Sequence, residues 1–140
     1  MPDLILASTS PWRRRILTDA GVDARAVAPG VDESEVTASD PVYLVEELAR
    51  RKAAAVAALH PEAWVIGADQ VAYALNDPSE IWGKPKDPAA HLEQLRRLRG
   101  STHVLITGFA ILAPGFQEVG HETTTMYGRP DLTDAELPAY

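Results

Sequence analysis

Cysteine is absent from all 140 residues of the sequence. Its absence excludes disulfide bonds, thiolate zinc sites and a cysteine nucleophile. A chain without cysteine fits a reducing compartment, and we expect a cytoplasmic protein. The sequence also lacks a signal-peptide pattern and any apolar run long enough to span a bilayer, so we expect no membrane partner.

Positive charge is scarce as well, because 13 lysines and arginines face 20 acidic residues and give a net charge of −7. This balance argues against an extended surface for nucleic acid or membrane. We therefore expect no nucleic-acid partner, and any phosphate site must be a local basic cluster. The chain is long enough for one domain with a real core, so we treat residues 1–140 as a single domain.

The most informative stretch is the first loop. Leu4–Ala7 is apolar and predicts a buried strand, and the hydroxyl-rich turn from Ser8 leads into a helix. Ser10 is a good N-cap, and Pro11 suits the first helical position. Backbone N–H groups, hydroxyls and the arginines at 13–15 would converge there on a phosphate. The alternative is a solvated helix face, although arginines in a first turn oppose the helix dipole, and a local conflict of this kind often marks a function.

The rest of the chain predicts an α/β protein with strands and helices in alternation. Helices are predicted over Pro11–Ala20, Asp40–Leu59 and Asp87–Leu98. Strands are predicted over Ala24–Ala28, Ala63–Ala68, Val71–Leu75, His103–Leu112 and Glu118–Tyr127, with a hairpin turn at Pro114-Gly115. Loops are predicted over Val31–Glu35 and Asn76–Ser79. The apolar face of the long helix is assigned to Leu44, Leu48, Ala55 and Leu59.

Acidic residues offer two further candidates. Asp32 and Glu33 stand in tandem and would suit a hard cation, although a solvated acidic loop explains them equally. Asp69 and Gln70 follow directly on the most hydrophobic predicted strand, where α/β proteins collect their chemistry. Asp69 would equally cap a turn, but its place after that strand favours a functional role. Lys84 lies between a glycine and a proline and is either a rigid phosphate ligand or merely exposed.

The segment LILASTSPWRRRIL resembles the N-terminal signature of the Maf family of nucleotide pyrophosphatases, whose usual form is Ser-x-Ser-Pro-Arg-Arg. Further blocks resemble that family in the same order: Val31–Glu33, Lys52-Ala53, Gly67–Gln70, Gly83–Pro85 and Thr107-Gly108. Trp12 replaces the first arginine, and Gln70 stands where threonine is also found. Both residues resemble the branch that prefers 7-methyl-GTP over dTTP and UTP.

The resemblance implies a Maf/inosine-triphosphatase-like twisted mixed sheet, flanked by helices, with a cleft between two lobes. Substrate phosphates would be bound by a set of hydroxyl and basic side chains: Ser8, Ser10, Arg13, Lys52 and Lys84. Asp69 would be the general base and, with Glu33, a ligand of Mg²⁺ or Mn²⁺. Trp12 and Gln70 would set specificity; Trp12 would stack on a cationic base or, alternatively, pack against the helix.

The implied function is hydrolysis of 7-methyl-GTP to 7-methyl-GMP and pyrophosphate, which removes a modified nucleotide. Two alternatives stay open: a dTTP/UTP pyrophosphatase of the same family, and a non-catalytic nucleotide-binding remnant. The second arises because Leu132–Leu137 resembles a helix start after which the family continues, so we expect the C-terminal part of the fold to be missing. A homodimer is left open.

Overall fold

The computed structural model describes residues 3–75, 77–82, 88–98 and 102–127, which form one mixed β-sheet with three α-helices. The strands are β1 (Leu4–Ala7), β2 (Arg25–Val27), β3 (Trp64–Ala74), β4 (Asp77–Trp82), β5 (Thr102–Ala113) and β6 (Phe116–Tyr127). The helices are α1 (Pro11–Asp19), α2 (Pro41–Ala57) and α3 (Pro88–Leu98). The predicted alternation of strands and helices is confirmed.

The sheet has the order β2-β1-β3-β5-β6, and β4 pairs with β3 outside that path. β1 is parallel to β2 and β3, whereas β3 is antiparallel to β4 and β5. β5 and β6 form the predicted hairpin, with Gly115 at φ +71° in the turn. One edge of β3 pairs with β1 through Trp64–Gly67 and with β4 through Ala72–Ala74. Residues 68–71 lie between these two ladders.

Several predicted boundaries are corrected. The strands predicted over Ala63–Ala68 and Val71–Leu75 are one strand that runs through Asp69 and Gln70 to Ala74, because β5 pairs with it from Val65 onward. Asp69 therefore lies within a long strand and two residues beyond the last β1 pair. The turn predicted over Asn76–Ser79 is wrong, since β4 begins at Asp77. The acidic loop predicted near Glu33 contains a short 3₁₀ helix, Glu33–Glu35.

Helix α2 covers one face of the sheet with a stripe that differs from the predicted one. Its buried residues are Pro41, Val45, Leu48, Ala49, Lys52, Ala53 and Val56. Leu48 was assigned correctly, but Leu59 lies beyond the helix and its side chain is 74% exposed. Apolar residues form two overlapping stripes along this helix. The stripe that is rich in small residues faces the sheet, because the helix lies very close to the sheet.

Two glycines on neighbouring strands permit this close approach. A Cβ atom at Gly67 on β3 would overlap the carbonyl oxygen of Ala49 in α2. A Cβ atom at Gly108 on β5 would overlap the carbonyl oxygen of Val45, one turn earlier. The backbone of α2 therefore rests directly on the backbone of β3 and β5, which draws the side chains of the helix and of the strands into short contact.

Some predictions lie outside the described residues, namely the phosphate-binding role of Lys84 and the helix start at Leu132–Leu137. The division into two lobes stays a prediction. Within the described ranges, no helix is both long enough and apolar enough to cross a membrane.

We expect Gly67→Ala to lower the free energy of unfolding by about 3 kcal/mol, which is the upper end of the usual cost of overpacking a core. The cost is high because the added Cβ meets helix backbone and not a movable side chain. Urea denaturation measures this change. Gly120→Ala is the matched control, since its added Cβ meets only the ring of Phe109. An equal loss of stability in both variants would contradict the claim that Gly67 is required for the close contact between α2 and β3.

Candidate active site

The loop between β1 and α1 is organised by the Ser8 hydroxyl. Ser8 is 5% exposed, and its Oγ accepts hydrogen bonds from the backbone N–H of Ser10 at 3.0 Å and from Arg13 Nη1 at 3.4 Å. A hydroxyl has two acceptor lone pairs and one proton, so the Ser8 proton remains to be donated to a ligand. Ser10 caps α1 as predicted, and its Oγ accepts from the backbone N–H of Arg13 at 3.4 Å.

A polar pocket of about 250 Å³ opens at this loop. Its lining brings together five of the residues that the sequence predicted as site residues: Ser8, Ser10, Arg13, Glu33 and Lys52. The loop stands at the carboxyl ends of the parallel strands β1 and β2, where α/β sheets bind their ligands. Hydroxyl groups, a helix N-terminus and two cationic side chains therefore meet in one concavity that suits an anion.

Beneath the pocket lies a buried lysine between two carboxylates. Lys52 Nζ is 3.1 Å from Asp69 Oδ1 and 2.7 Å from Glu33 Oε1. The side chains of Lys52 and Asp69 are 8% and 10% exposed, whereas that of Glu33 is 52% exposed. Asp69 Oδ2 is also buried and has no hydrogen-bond partner among the described residues. Among the described residues, this oxygen is therefore the carboxylate atom of the cluster whose hydrogen-bonding capacity is unused.

Burial raises the pKa of Asp69 above its ordinary value, because desolvation disfavours the carboxylate. The charge of Lys52 and its hydrogen bond lower the pKa, Glu33 raises it, and Arg13 lowers it. Desolvation outweighs the attraction of the lysine. A carboxylate held in this way has more affinity for a proton than an exposed aspartate, which suits a general base.

The 3₁₀ helix positions Glu33. Asp32 caps this helix, and its Oδ1 accepts hydrogen bonds from the backbone N–H and the hydroxyl of Ser34 at 3.0 and 2.6 Å. Of the two tandem acids, Asp32 is therefore bound to Ser34 within its own turn, whereas Glu33 reaches Lys52. Arg51 of α2 lies 3.6 Å from Glu35 and 3.0 Å from Glu47, so it links the 3₁₀ helix to α2.

A second pocket of about 520 Å³ lies on the opposite face of the sheet, under α1. Its lining is mainly apolar: Leu6, Ser10, Trp12, Arg13, Ile16, Leu17, Ile66, Ala68, Gln70 and Thr107. Side chains alternate along a strand, so Gln70 faces this pocket while Asp69 faces α2. Both predicted specificity residues, Trp12 and Gln70, therefore line one apolar pocket. Arg13 and Ser10 line both pockets and join them.

Sequence reasoning singled out Lys52 only through a resemblance, although a physical signal was present. Position 52 continues the spacing of Val45, Leu48 and Ala49 on the face of α2 that packs on the sheet, so a lysine there must be buried. A buried lysine requires a carboxylate partner, and Asp69 supplies it. Thr107 was noted as part of a family block without a role, and the structure places it opposite Gln70.

We expect Glu47→Gln to lower the free energy of unfolding by about 1 kcal/mol at pH 7, as a partly buried carboxylate loses its arginine partners. Hydrogen bonding to Arg50 lowers the pKa of Glu47 from its ordinary 4.5 to about 2. Because the pKa of Glu47 is lower in the folded than in the unfolded chain, the ionised carboxylate stabilises the fold at a pH above its unfolded pKa. This stabilisation is lost as the pH falls toward 2. The difference between the proteins, measured by urea denaturation, should shrink below pH 4.5, and a constant difference would contradict this origin.

The fold and the site define an α/β protein with an anion-binding loop at the carboxyl ends of its parallel strands, beside a buried lysine–aspartate pair. Comparison with known proteins specifies the family. The family model described as Maf-like protein matches residues 3–140, and the chain belongs to the Maf family. The family predicted from the sequence is thereby confirmed. The match does not assign the chain to a particular branch of that family.

Three curated relatives illustrate the family. A dTTP/UTP pyrophosphatase of Symbiobacterium thermophilum is 41% identical over 130 residues, which cover 93% of this chain and 66% of that protein. A 7-methyl-GTP pyrophosphatase of Pseudomonas aeruginosa is 41% identical over 112 residues, with coverage of 80% and 57%. A nucleoside triphosphate pyrophosphatase of Synechococcus elongatus is 42% identical over 141 residues, with coverage of 99% and 69%. The chain thus spans between 57% and 69% of the length of these relatives.

Among solved structures, the Staphylococcus aureus Ham1 protein superposes with a TM-score of 0.63 at 18% sequence identity. The match covers 88% of this chain and 70% of that one. At this identity the likeness concerns the fold alone, and it supports the predicted twisted mixed sheet with flanking helices.

Proposed function

We propose that the protein is a nucleoside-triphosphate pyrophosphatase that releases a nucleoside monophosphate and pyrophosphate. The observation that carries this proposal is the polar pocket at the N-terminus of α1, which adjoins the buried Lys52–Asp69 pair. The names of the curated relatives support the same reaction. The substrate would be a small-molecule nucleotide, and we propose a cytoplasmic protein with no nucleic-acid or membrane partner and with dimerisation left open.

The triphosphate would occupy the polar pocket. Arg13 can donate two parallel hydrogen bonds to phosphate oxygens, and Lys52 adds a second positive charge. Ser8 donates its remaining proton, and the backbone N–H groups at the start of α1 complete the cradle. We retain Lys84, which follows β4 in the sequence, as a proposed third phosphate ligand. These groups would neutralise the charge that develops on the leaving pyrophosphate.

Asp69 would activate the water. The water oxygen attacks the α-phosphorus, the bond from that phosphorus to the oxygen bridging the α- and β-phosphates breaks, and pyrophosphate leaves. The water proton passes to Asp69 Oδ2, the buried oxygen without a hydrogen-bond partner among the described residues. The raised pKa of Asp69 favours this transfer.

The residues present fit a divalent cation. Asp69 Oδ1 and the Glu33 carboxylate lie around the same lysine and would offer two hard oxygen donors, the type that Mg²⁺ and Mn²⁺ prefer, while Asp69 Oδ2 is left to accept the water proton. In the described ranges, no group of three or more His, Cys, Asp or Glu side chains could hold a metal. A cation here would take further ligands from phosphate and water, and it would supply charge neutralisation on the triphosphate.

The base would enter the apolar pocket on the other face of the sheet. Trp12 is 70% exposed at its rim, so its indole face is accessible to a ring. A methylated guanine is cationic, and tryptophan is the aromatic side chain that binds a cation best. We therefore propose 7-methyl-GTP as the preferred substrate, removed as a modified nucleotide. A dTTP/UTP preference is the second candidate, because several relatives bear that name.

We expect the wild-type protein to release pyrophosphate from 7-methyl-GTP faster than from GTP, UTP or dTTP, in the presence of Mg²⁺ or Mn²⁺. Asp69→Asn should abolish release, because the amide cannot accept the water proton. A coupled pyrophosphate assay measures both effects. Asp23→Asn, at an exposed position, is the matched control and should keep full activity.

A folded wild-type sample that is inert toward all four nucleotides but binds them would instead identify a non-catalytic nucleotide-binding protein. Preference for UTP and dTTP over 7-methyl-GTP would leave the reaction intact and reject the proposed specificity.

We expect Lys52→Met to bind Mn²⁺ about tenfold more tightly in the absence of nucleotide, because the lysine ammonium competes with the cation for Glu33 and Asp69. Electron paramagnetic resonance of free Mn²⁺ measures the affinity. Arg50→Met removes a neighbouring charge from the same helix that does not contact the 3₁₀ helix, and it should leave Mn²⁺ binding unchanged. Weaker or equal binding in Lys52→Met would contradict a cation site between these carboxylates.

A further inference from the structure

Two neighbouring residues of α2 hold the 3₁₀ helix by ion pairs. Lys52 Nζ lies 2.7 Å from Glu33 Oε1, and Arg51 Nη1 lies 3.6 Å from Glu35 Oε2. All three residues of the 3₁₀ helix are exposed, and the nearest buried side chain is that of Val36, directly after it. Because the 3₁₀ helix buries no side chain of its own, the placement of the Glu33 carboxylate depends on these ion pairs.

The guanidinium of Arg51 is fixed before it meets Glu35. Its Nε donates a hydrogen bond at 3.0 Å to Glu47 Oε1, one turn earlier in α2. The Glu47 side chain is 16% exposed, and its carboxylate also accepts two hydrogen bonds from Arg50. An exposed ion pair usually contributes little, partly because two long side chains must be held in one geometry. That cost is smaller here, since Glu47 already holds the arginine.

We propose that Arg51 is a positioning residue that keeps Glu33 at the cation site while Lys52 binds the triphosphate. This inference rests on the proposed function. There the triphosphate takes up Lys52 and a divalent cation takes up the Glu33 carboxylate, so the pair between these two side chains weakens when Glu33 is needed as a ligand. The pair between Arg51 and Glu35 is used by neither ligand, and Glu35 lies two residues from Glu33 in the same short helix.

A positioning role and a simple effect of charge predict different signs. Arg51→Met removes a positive charge near the carboxylates, which by Coulomb attraction alone would strengthen the binding of a cation. Glu35→Gln removes a negative charge and by the same reasoning would weaken it. If the ion pair positions Glu33, both substitutions weaken cation binding, because each of them breaks the same pair.

The test measures Mn²⁺ binding without nucleotide, by electron paramagnetic resonance of the free ion. We expect Arg51→Met and Glu35→Gln each to raise the dissociation constant for Mn²⁺ about threefold, toward the upper end for an exposed ion pair. The double variant should lose no more affinity than either single variant, because residues that act through one shared contact are not additive.

Arg50→Met is the matched control. It removes the same charge from the same helix and also breaks bonds to Glu47, but the bonds of Arg50 stay within α2. We expect it to retain the wild-type affinity for Mn²⁺, and to lose at least as much free energy of unfolding as Arg51→Met in urea denaturation. A merely structural role of Arg51 would instead change stability and Mn²⁺ affinity together in both variants.

Pyrophosphate release supplies a second measurement. In Arg51→Met, the Mg²⁺ concentration that gives half the maximal rate should rise by the same factor as the Mn²⁺ dissociation constant, with kcat at saturating Mg²⁺ little changed. A variant that lowers kcat at saturating Mg²⁺ without changing the requirement for the cation would contradict a role in placing Glu33.

The proposal is overturned if Arg51→Met keeps or gains Mn²⁺ affinity, if Arg50→Met loses as much affinity, if the losses in Arg51→Met and Glu35→Gln add up in the double variant, or if the wild type binds no Mn²⁺. Failure of the proposed function would look different. A wild type that binds Mn²⁺, shows the expected losses in both single variants and yet releases no pyrophosphate would support the role of Arg51 and reject the proposed reaction.

Discussion

The close contact between α2 and the sheet is the constraint on which the site depends. Gly67 and Gly108 remove the side chains that would hold the helix away, so the backbones of α2, β3 and β5 meet. Asp69 lies two residues after Gly67 and pairs directly with Gly108. A lysine that projects from the helix at this point reaches the strand carboxylate at 3.1 Å. A helix held further out by two side chains would leave Lys52 and Asp69 too far apart to bond.

Burial of this ion pair costs desolvation energy, which its attraction only partly offsets. The raised pKa of Asp69 is the visible part of that cost. Glu33 adds a second carboxylate on a short 3₁₀ helix that is linked to α2 through Arg51 and Glu35. A positively charged group between two carboxylates under an anion-binding loop is an arrangement that ligands of both signs can alter. Under the proposed function, the site would respond to a polyanion and a cation together.

Much of this arrangement is predictable from the sequence, because it follows from local chemistry. The Ser10 cap, Pro11 and the apolar run before them specify β1, the loop and α1 without any partner. The length of β3 was not predictable, since Asp69 and Gln70 are poor strand residues and only the pairing with β5 holds them there. The stripe of α2 was misassigned because leucine outweighed alanine in the pattern, while the glycines opposite select alanine.

Asp69 and Gln70 are consecutive residues of one strand, yet their side chains lie on opposite faces of the sheet, Asp69 against Lys52 of α2 and Gln70 in the apolar pocket. Under the proposed function, the separation of reaction chemistry from base selection would thus rest on the two-residue repeat of a single strand. Under the proposed function, a substitution of Gln70 would change selectivity without removing the carboxylate that performs the chemistry. An inserted or deleted residue before Asp69 would exchange the two faces and destroy both properties at once. The length of this segment is therefore constrained independently of which residues occupy it.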